Sequence, residues 1–253
     1  MTEMDVTLME SIENPLTIAQ SMEGVRSSGS RYLFRGAARS FGVELEDQED
    51  EDWRAMLGGA YLVDHLLDID KTDIMPGVAA IVSGELIEGL HERTQVRFRE
   101  YMLRQEESRY DDIIRRLEQV SSLSHRQALA ESAQEVIDIR REEADLLAYL
   151  LGLPTHNRRD SVARERFNDW LVGWSRCGYL LDTLIDMKLD YDNGDSGVRP
   201  TTRAKAVIAG VAVKESLIAT RKTPLRLLGK CALVGARYLL LNKKPDLTDL
   251  QRR

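Results

Sequence analysis

The 253-residue sequence predicts an all-α fold in a single domain. Three observations carry that reading. Apolar residues recur at helical rather than alternating spacing almost throughout, β-branched runs are scarce, and glycine and proline fall between the periodic stretches. Taken in order, the periodicity predicts helices over 15–23, 28–42, 52–69, 75–91, 92–119, 125–152, 159–189, 200–220 and 223–242. Pro76-Gly77 opens the fourth, because proline is tolerated in a first helical turn. Gly152-Leu153-Pro154 closes the sixth, and Asn193-Gly194-Asp195-Ser196-Gly197 reads as the loop after the seventh. No repeat and no long linker divides the chain, so residues 1–253 are expected to form one helical domain. Residues 1–14 are expected to be a flexible tail, and 221–244 a basic C-terminal helix.

Composition narrows the function classes. A formal charge of −7 gives no support to nucleic-acid binding. No apolar run reaches the roughly 18 residues that span a bilayer. The start of the chain, Met1-Thr2-Glu3-Met4-Asp5, lacks the basic and apolar regions of a signal peptide, and a cytoplasmic location is expected. Cys177 and Cys231 sit in apolar surroundings and imply no disulfide framework.

Two charge runs stand out. Residues 44–52 hold seven acids and read as a solvated turn before the third long helix. Between Ser216 and Pro245 there is no acid but seven bases, of which Lys222, Arg226 and Lys230 are four apart and fall in one helical stripe. That stripe reads as a solvated basic face, a phosphate-facing lid or a peripheral contact with an anionic membrane.

The strongest chemical signal is a pair of acidic clusters in leucine-rich helical runs. Asp64 and Asp68 lie four apart, and so do Asp182, Asp186 and Asp190. Each set therefore shares one helix face. Burying carboxylates among leucines costs several kcal/mol unless something positive pairs with them. Hard divalent cations such as Mg²⁺ take oxygen ligands and are commonly shared between carboxylates and substrate phosphates. Other metal chemistries fit less well. The Asp190–Asp195 stretch has its glycine misplaced for a calcium loop, Glu88-Gly89-Leu90-His91 has no second Glu-x-x-His step, and His65, His91, His125 and His156 show no zinc spacing.

These motifs resemble those of the class I isoprenoid synthases, the superfamily of trans-prenyl diphosphate, squalene, phytoene and terpene synthases. Tyr61-Leu62-Val63-Asp64-His65-Leu66-Leu67-Asp68-Ile69-Asp70 is similar to the first aspartate-rich motif, with His65 where a second Asp usually stands. Gly178-Tyr179-Leu180-Leu181-Asp182-Thr183-Leu184-Ile185-Asp186 is similar to the second, and Asp190 extends it to the three-acid ladder of terpene synthases. The helix carrying Arg140 and Arg141 resembles the one that presents a basic residue to the diphosphate. Arg237-Tyr238 resembles a late Arg-Tyr pair. The chain lacks the Arg-Arg-Gly that follows the first motif in chain-elongating enzymes.

The resemblance implies an antiparallel helical bundle of the isoprenoid-synthase type with both motifs at one mouth. It implies Asp64, Asp68, Asp182, Asp186 and Asp190 as ligands of three Mg²⁺ ions in two clusters; Asp70, about 200° round the helix from Asp68, is expected to be a weaker ligand. Arg140, Arg141 and Tyr179 would act in catalysis, and Lys188, Arg237 and Tyr238 would contact the diphosphate. The expected activity is ionisation of an allylic prenyl diphosphate with release of pyrophosphate. The alternatives are a non-catalytic prenyl-synthase-like subunit and a helical protein that binds a prenyl lipid. A homodimer is one expected assembly.

Overall fold

The computed structural model describes residues 34–69, 73–155 and 162–228, apart from the side chains at 68 and 69. Those residues are helical, with no strand among them. A short helix over 34–40 precedes α1 (Asp47–Ile69), α2 (Met75–Ser83), α3 (Glu92–Leu103), α4 (Glu107–Ala128), α5 (Ala133–Gly152), a 3₁₀ turn (Leu153–Thr155), α6 (Val162–Asn193) and α7 (Thr202–Lys222). The expected helix over 15–23, the tail 1–14, Cys231, Arg237, Tyr238 and most of the 221–244 segment lie outside the described residues.

Two apolar cores are strung along α5 and α6. One gathers Trp53, Leu62, Phe98, Tyr101, Ile113 and Phe167 around α1. The other gathers Ile137, Ile139, Leu180, Met187, Ile208 and Ala212 between α5, α6 and α7. At 32 residues α6 is about 48 Å long, long enough to serve both. Its start is held to the start of α1 by ring contacts from Phe34 to Trp53 (3.9 Å) and to Phe167 (4.9 Å). The buried Arg164 guanidinium also donates to Glu49 there at 2.9 and 3.3 Å.

Local chemistry explains most boundaries. Ser132 and Glu135 form a reciprocal capping box that starts α5. Gly84, at φ +103°, ends α2 eight residues before the expected limit, in the left-handed conformation that glycine adopts without penalty. The expected 92–119 helix is two helices, because the chain turns at Arg104-Gln105-Glu106, where Gln105 donates to the Tyr101 carbonyl at 2.8 Å. Gly197 lets the loop after α6 return against α4; a Cβ there would stand 2.4 Å from the Ala130 carbonyl oxygen.

Two charge expectations are corrected. The acidic run 44–52 is not a solvated turn: it enters α1 at Asp47, with Glu49 buried against Arg164 and Asp50 buried near Arg35 and Arg54. The stripe through Lys222 and Arg226 is broken, since α7 ends at Lys222 and Thr223 is extended (ψ 126°). Pro224 is the cause, because it disfavours helical backbone in the residue before it. The break is pinned to α6, where the indoles of Trp170 and Trp174 both donate to the Thr223 hydroxyl at 2.9 and 3.1 Å.

Candidate functional site

A cavity of ≈ 90 Å³ lies where α1, α3, α4, α5 and α6 meet. Its walls are apolar, with Val63 and Leu67 from α1, Phe98 from α3, Leu117 from α4, and Leu147 and Leu150 from α5. One rim is polar and carries Asp64, Arg140, Glu143 and Tyr179. Gly59 shapes the opposite wall. A Cβ at that position would stand 2.6 Å from the Phe98 ring, so only glycine lets the ring lie against α1.

Arg140 is the centre of the polar rim. Its guanidinium donates to Glu143 at 2.8 Å, one turn along α5, and lies 3.7 Å from Asp190 across on α6. It also lies 5.9 Å from the centroid of the Tyr179 ring, within cation–π range. Burial works against the charge, but Glu143 and then Asp190 hold its pKa above the ordinary arginine value. Its Nε is buried without a hydrogen-bond partner, so one donor of the guanidinium is unspent.

The acids of both motifs act on this rim. The Tyr179 hydroxyl is pushed above its ordinary pKa by burial, then by Glu143, with Asp64 and Asp182 adding to it and Arg140 opposing. One hydroxyl thus feels a carboxylate from α1 and another from α6. Asp64 and Asp182 are exposed at the mouth, and Asp186 and Asp190 are half-buried. Asp190 is held above the usual carboxylate range by burial first; Arg140 pulls it down, and repulsion from Asp186, Asp195 and Asp182 pushes it up.

The other sequence candidates are placed differently. Arg141 turns away from the cavity and pairs with Glu215 on α7. Lys188 is exposed and pairs with Asp192. His65, which stands in the place of an acid, lies against the 85–91 loop, where a Cβ on Gly89 would meet its Nε2 at 3.4 Å. Asp68 is in the last turn of α1, but its side chain, like Asp70, is outside the described residues. Glu143 was not among the sequence candidates. The signal for it was its i, i+3 spacing from Arg140, a spacing shared by many surface pairs.

Among the described residues no three His, Cys, Asp or Glu side chains converge closely enough to enclose a metal ion. The oxygen-only donor set along α6, the raised Asp190 and the unspent Arg140 Nε nonetheless fit a hard cation bound together with an anionic ligand, which would complete the coordination from outside the protein. Comparison with protein-family models, with curated proteins and with solved structures found no match, so no family is assigned by similarity.

Proposed function

We propose that the chain is a Mg²⁺-dependent class I isoprenoid synthase that ionises an allylic prenyl diphosphate and releases pyrophosphate. The observation that carries this reading is that Asp64, Arg140 and Tyr179 share one rim of an apolar cavity, with Asp190 of α6 3.7 Å from Arg140. Bound Mg²⁺ would neutralise and hold the leaving diphosphate. Asp64, Asp182, Asp186 and Asp190 would supply its oxygen ligands, and Arg140 would donate to phosphate oxygens as a planar fork. The Tyr179 hydroxyl, its pKa raised by burial, stays protonated at neutral pH and serves as a neutral donor rather than a base. The walls of Val63, Phe98, Leu117 and Leu147 exclude water from the reacting carbon.

The test is incubation with Mg²⁺ and geranyl, farnesyl or geranylgeranyl diphosphate, with and without isopentenyl diphosphate. Pyrophosphate release is expected from at least one substrate, and it should be lost in Asp186→Asn with helical circular dichroism unchanged. No release across the whole panel would reject the catalytic reading. One observation favours the non-catalytic alternative. Arg140 is already neutralised by two acids, Glu143 and Asp190. On that reading prenyl diphosphate binds Mg²⁺-dependently but is recovered intact.

A further inference from the structure

The molecule carries a net charge of −7, but residues 199–228 run the other way. They hold seven bases, Arg199, Arg203, Lys205, Lys214, Arg221, Lys222 and Arg226, and a single acid, Glu215. All seven bases are exposed. Glu215 is buried and already paired with Arg141, so it does not offset them at the surface, although Lys222 lies 3.5 Å from the exposed Asp169 of α6. Residues 202–222 of this stretch are α7, and α7 is apolar on two opposite faces. Ala204, Ile208, Ala212 and Ala219 are buried in the core. On the far side Ala206, Gly210, Val213 and Leu217 are exposed, Val213 and Leu217 by 60% and 56%. Their spacing of i, i+4, i+7 and i+11 makes them one stripe. Arg203, Lys214 and Arg221, eleven and eighteen residues apart from the first, form a second stripe alongside it. Past the end of the helix Leu225 is 86% exposed, next in sequence to the exposed Arg226.

An exposed apolar stripe edged by bases of one sign is the signature of a helix that lies in the interface of an anionic bilayer. We infer that the outer face of α7, with Leu225 and Arg226, docks this protein peripherally on a membrane surface rich in anionic phospholipid. Among the described residues no helix is long and apolar enough to cross a membrane, so the contact is a surface one. Charge selects this face over the other exposed apolar stripe. Leu181, Ile185 and Leu189 on α6 are also exposed, but Asp182 and Asp186 flank them and would be repelled by anionic headgroups. Charge also argues against a second copy as the occupant. Apposed α7 faces would bring two sets of bases together with no exposed acid of that helix to answer them. The inference does not depend on the catalytic reading.

The experiment is cosedimentation of the full chain with vesicles of phosphatidylcholine alone and of equimolar phosphatidylcholine and phosphatidylserine. Binding is expected to the mixed vesicles only and should weaken as salt is raised. A base at such a surface contributes about fivefold in affinity, so Arg203→Ala/Lys214→Ala/Arg221→Ala should bind about a hundredfold more weakly. Leu217→Ser should weaken binding without altering its salt dependence, and circular dichroism should confirm that both variants are folded. Equal binding to both vesicle types, or no binding to either, overturns the inference. So does unchanged binding by the triple variant, which would place the contact elsewhere in the chain. If sedimentation velocity shows a self-associated chain that Leu217→Ser dissociates, with no vesicle binding, the occupant is a second copy and the inference also fails.

Discussion

Arg140 decides how the site is understood. A half-buried guanidinium is tolerated because Glu143 and Asp190 stand on either side of it, so removing either partner costs stability. The residue is therefore structural and available at once: Nη1 donates to Glu143, Nη2 lies 3.7 Å from Asp190, and Nε has no hydrogen-bond partner. Asp112 shows the contrasting case of a carboxylate with donors to spare. Burial works against its charge, but Arg116 (3.1 Å), Arg115 and Tyr149 (2.9 Å) donate to it and hold its pKa below the ordinary value. A group depressed on folding contributes stability that is present above its unfolded pKa and is lost as pH falls through the folded one. Asp112→Asn should thus lower stability at neutral pH, with the difference from wild type shrinking as pH drops below about 4. Thermal unfolding at a series of pH values checks this; a difference that stays constant with pH contradicts it.

Helices set the size of the cavity through close approaches that glycine permits. An alanine at 59 would overlap the buried Phe98 ring, and overpacking of this kind typically costs about 1–3 kcal/mol, against about 1 kcal/mol gained from helix propensity. Gly59→Ala should therefore be destabilised by up to about 2 kcal/mol, whereas Gly178→Ala, with nothing within 4 Å and an exposed site on α6, should be neutral or stabilised. Urea denaturation of the pair tests this; equal effects would mean that Phe98 yields freely. Element boundaries were legible where a local signal stood alone, as at Pro76, Gly152 and Gly194. They were not legible at Gly84 or Gln105, where apolar periodicity continues across the break and only the side chain's hydrogen bond or the backbone's handedness reveals the end.

For the molecule as a whole, the all-α class followed from periodicity because 3.6-residue spacing ran through almost every segment. The site was legible in part. Asp64, Arg140 and Tyr179 were singled out in sequence and line one rim, and Asp190 lies 3.7 Å from Arg140. Arg141, which differs from Arg140 only by 100° around α5, could not be separated from it in sequence, since which of two adjacent bases faces inward depends on the helices packed against them. Glu143 carried only an i, i+3 spacing that many surface pairs share, and the Gly59–Phe98 contact depends on tertiary proximity alone.

The central claim is that the α6 acids and Arg140 together hold a cation-bound diphosphate. Calorimetric titration of the full chain with inorganic pyrophosphate, with and without Mg²⁺, tests it most directly. Binding is expected only when Mg²⁺ is present, with a loss of at least about tenfold, equivalent to about 1.4 kcal/mol, in both Asp186→Asn and Arg140→Gln. Binding that is indifferent to Mg²⁺ and to both substitutions, or no binding at all, would contradict it.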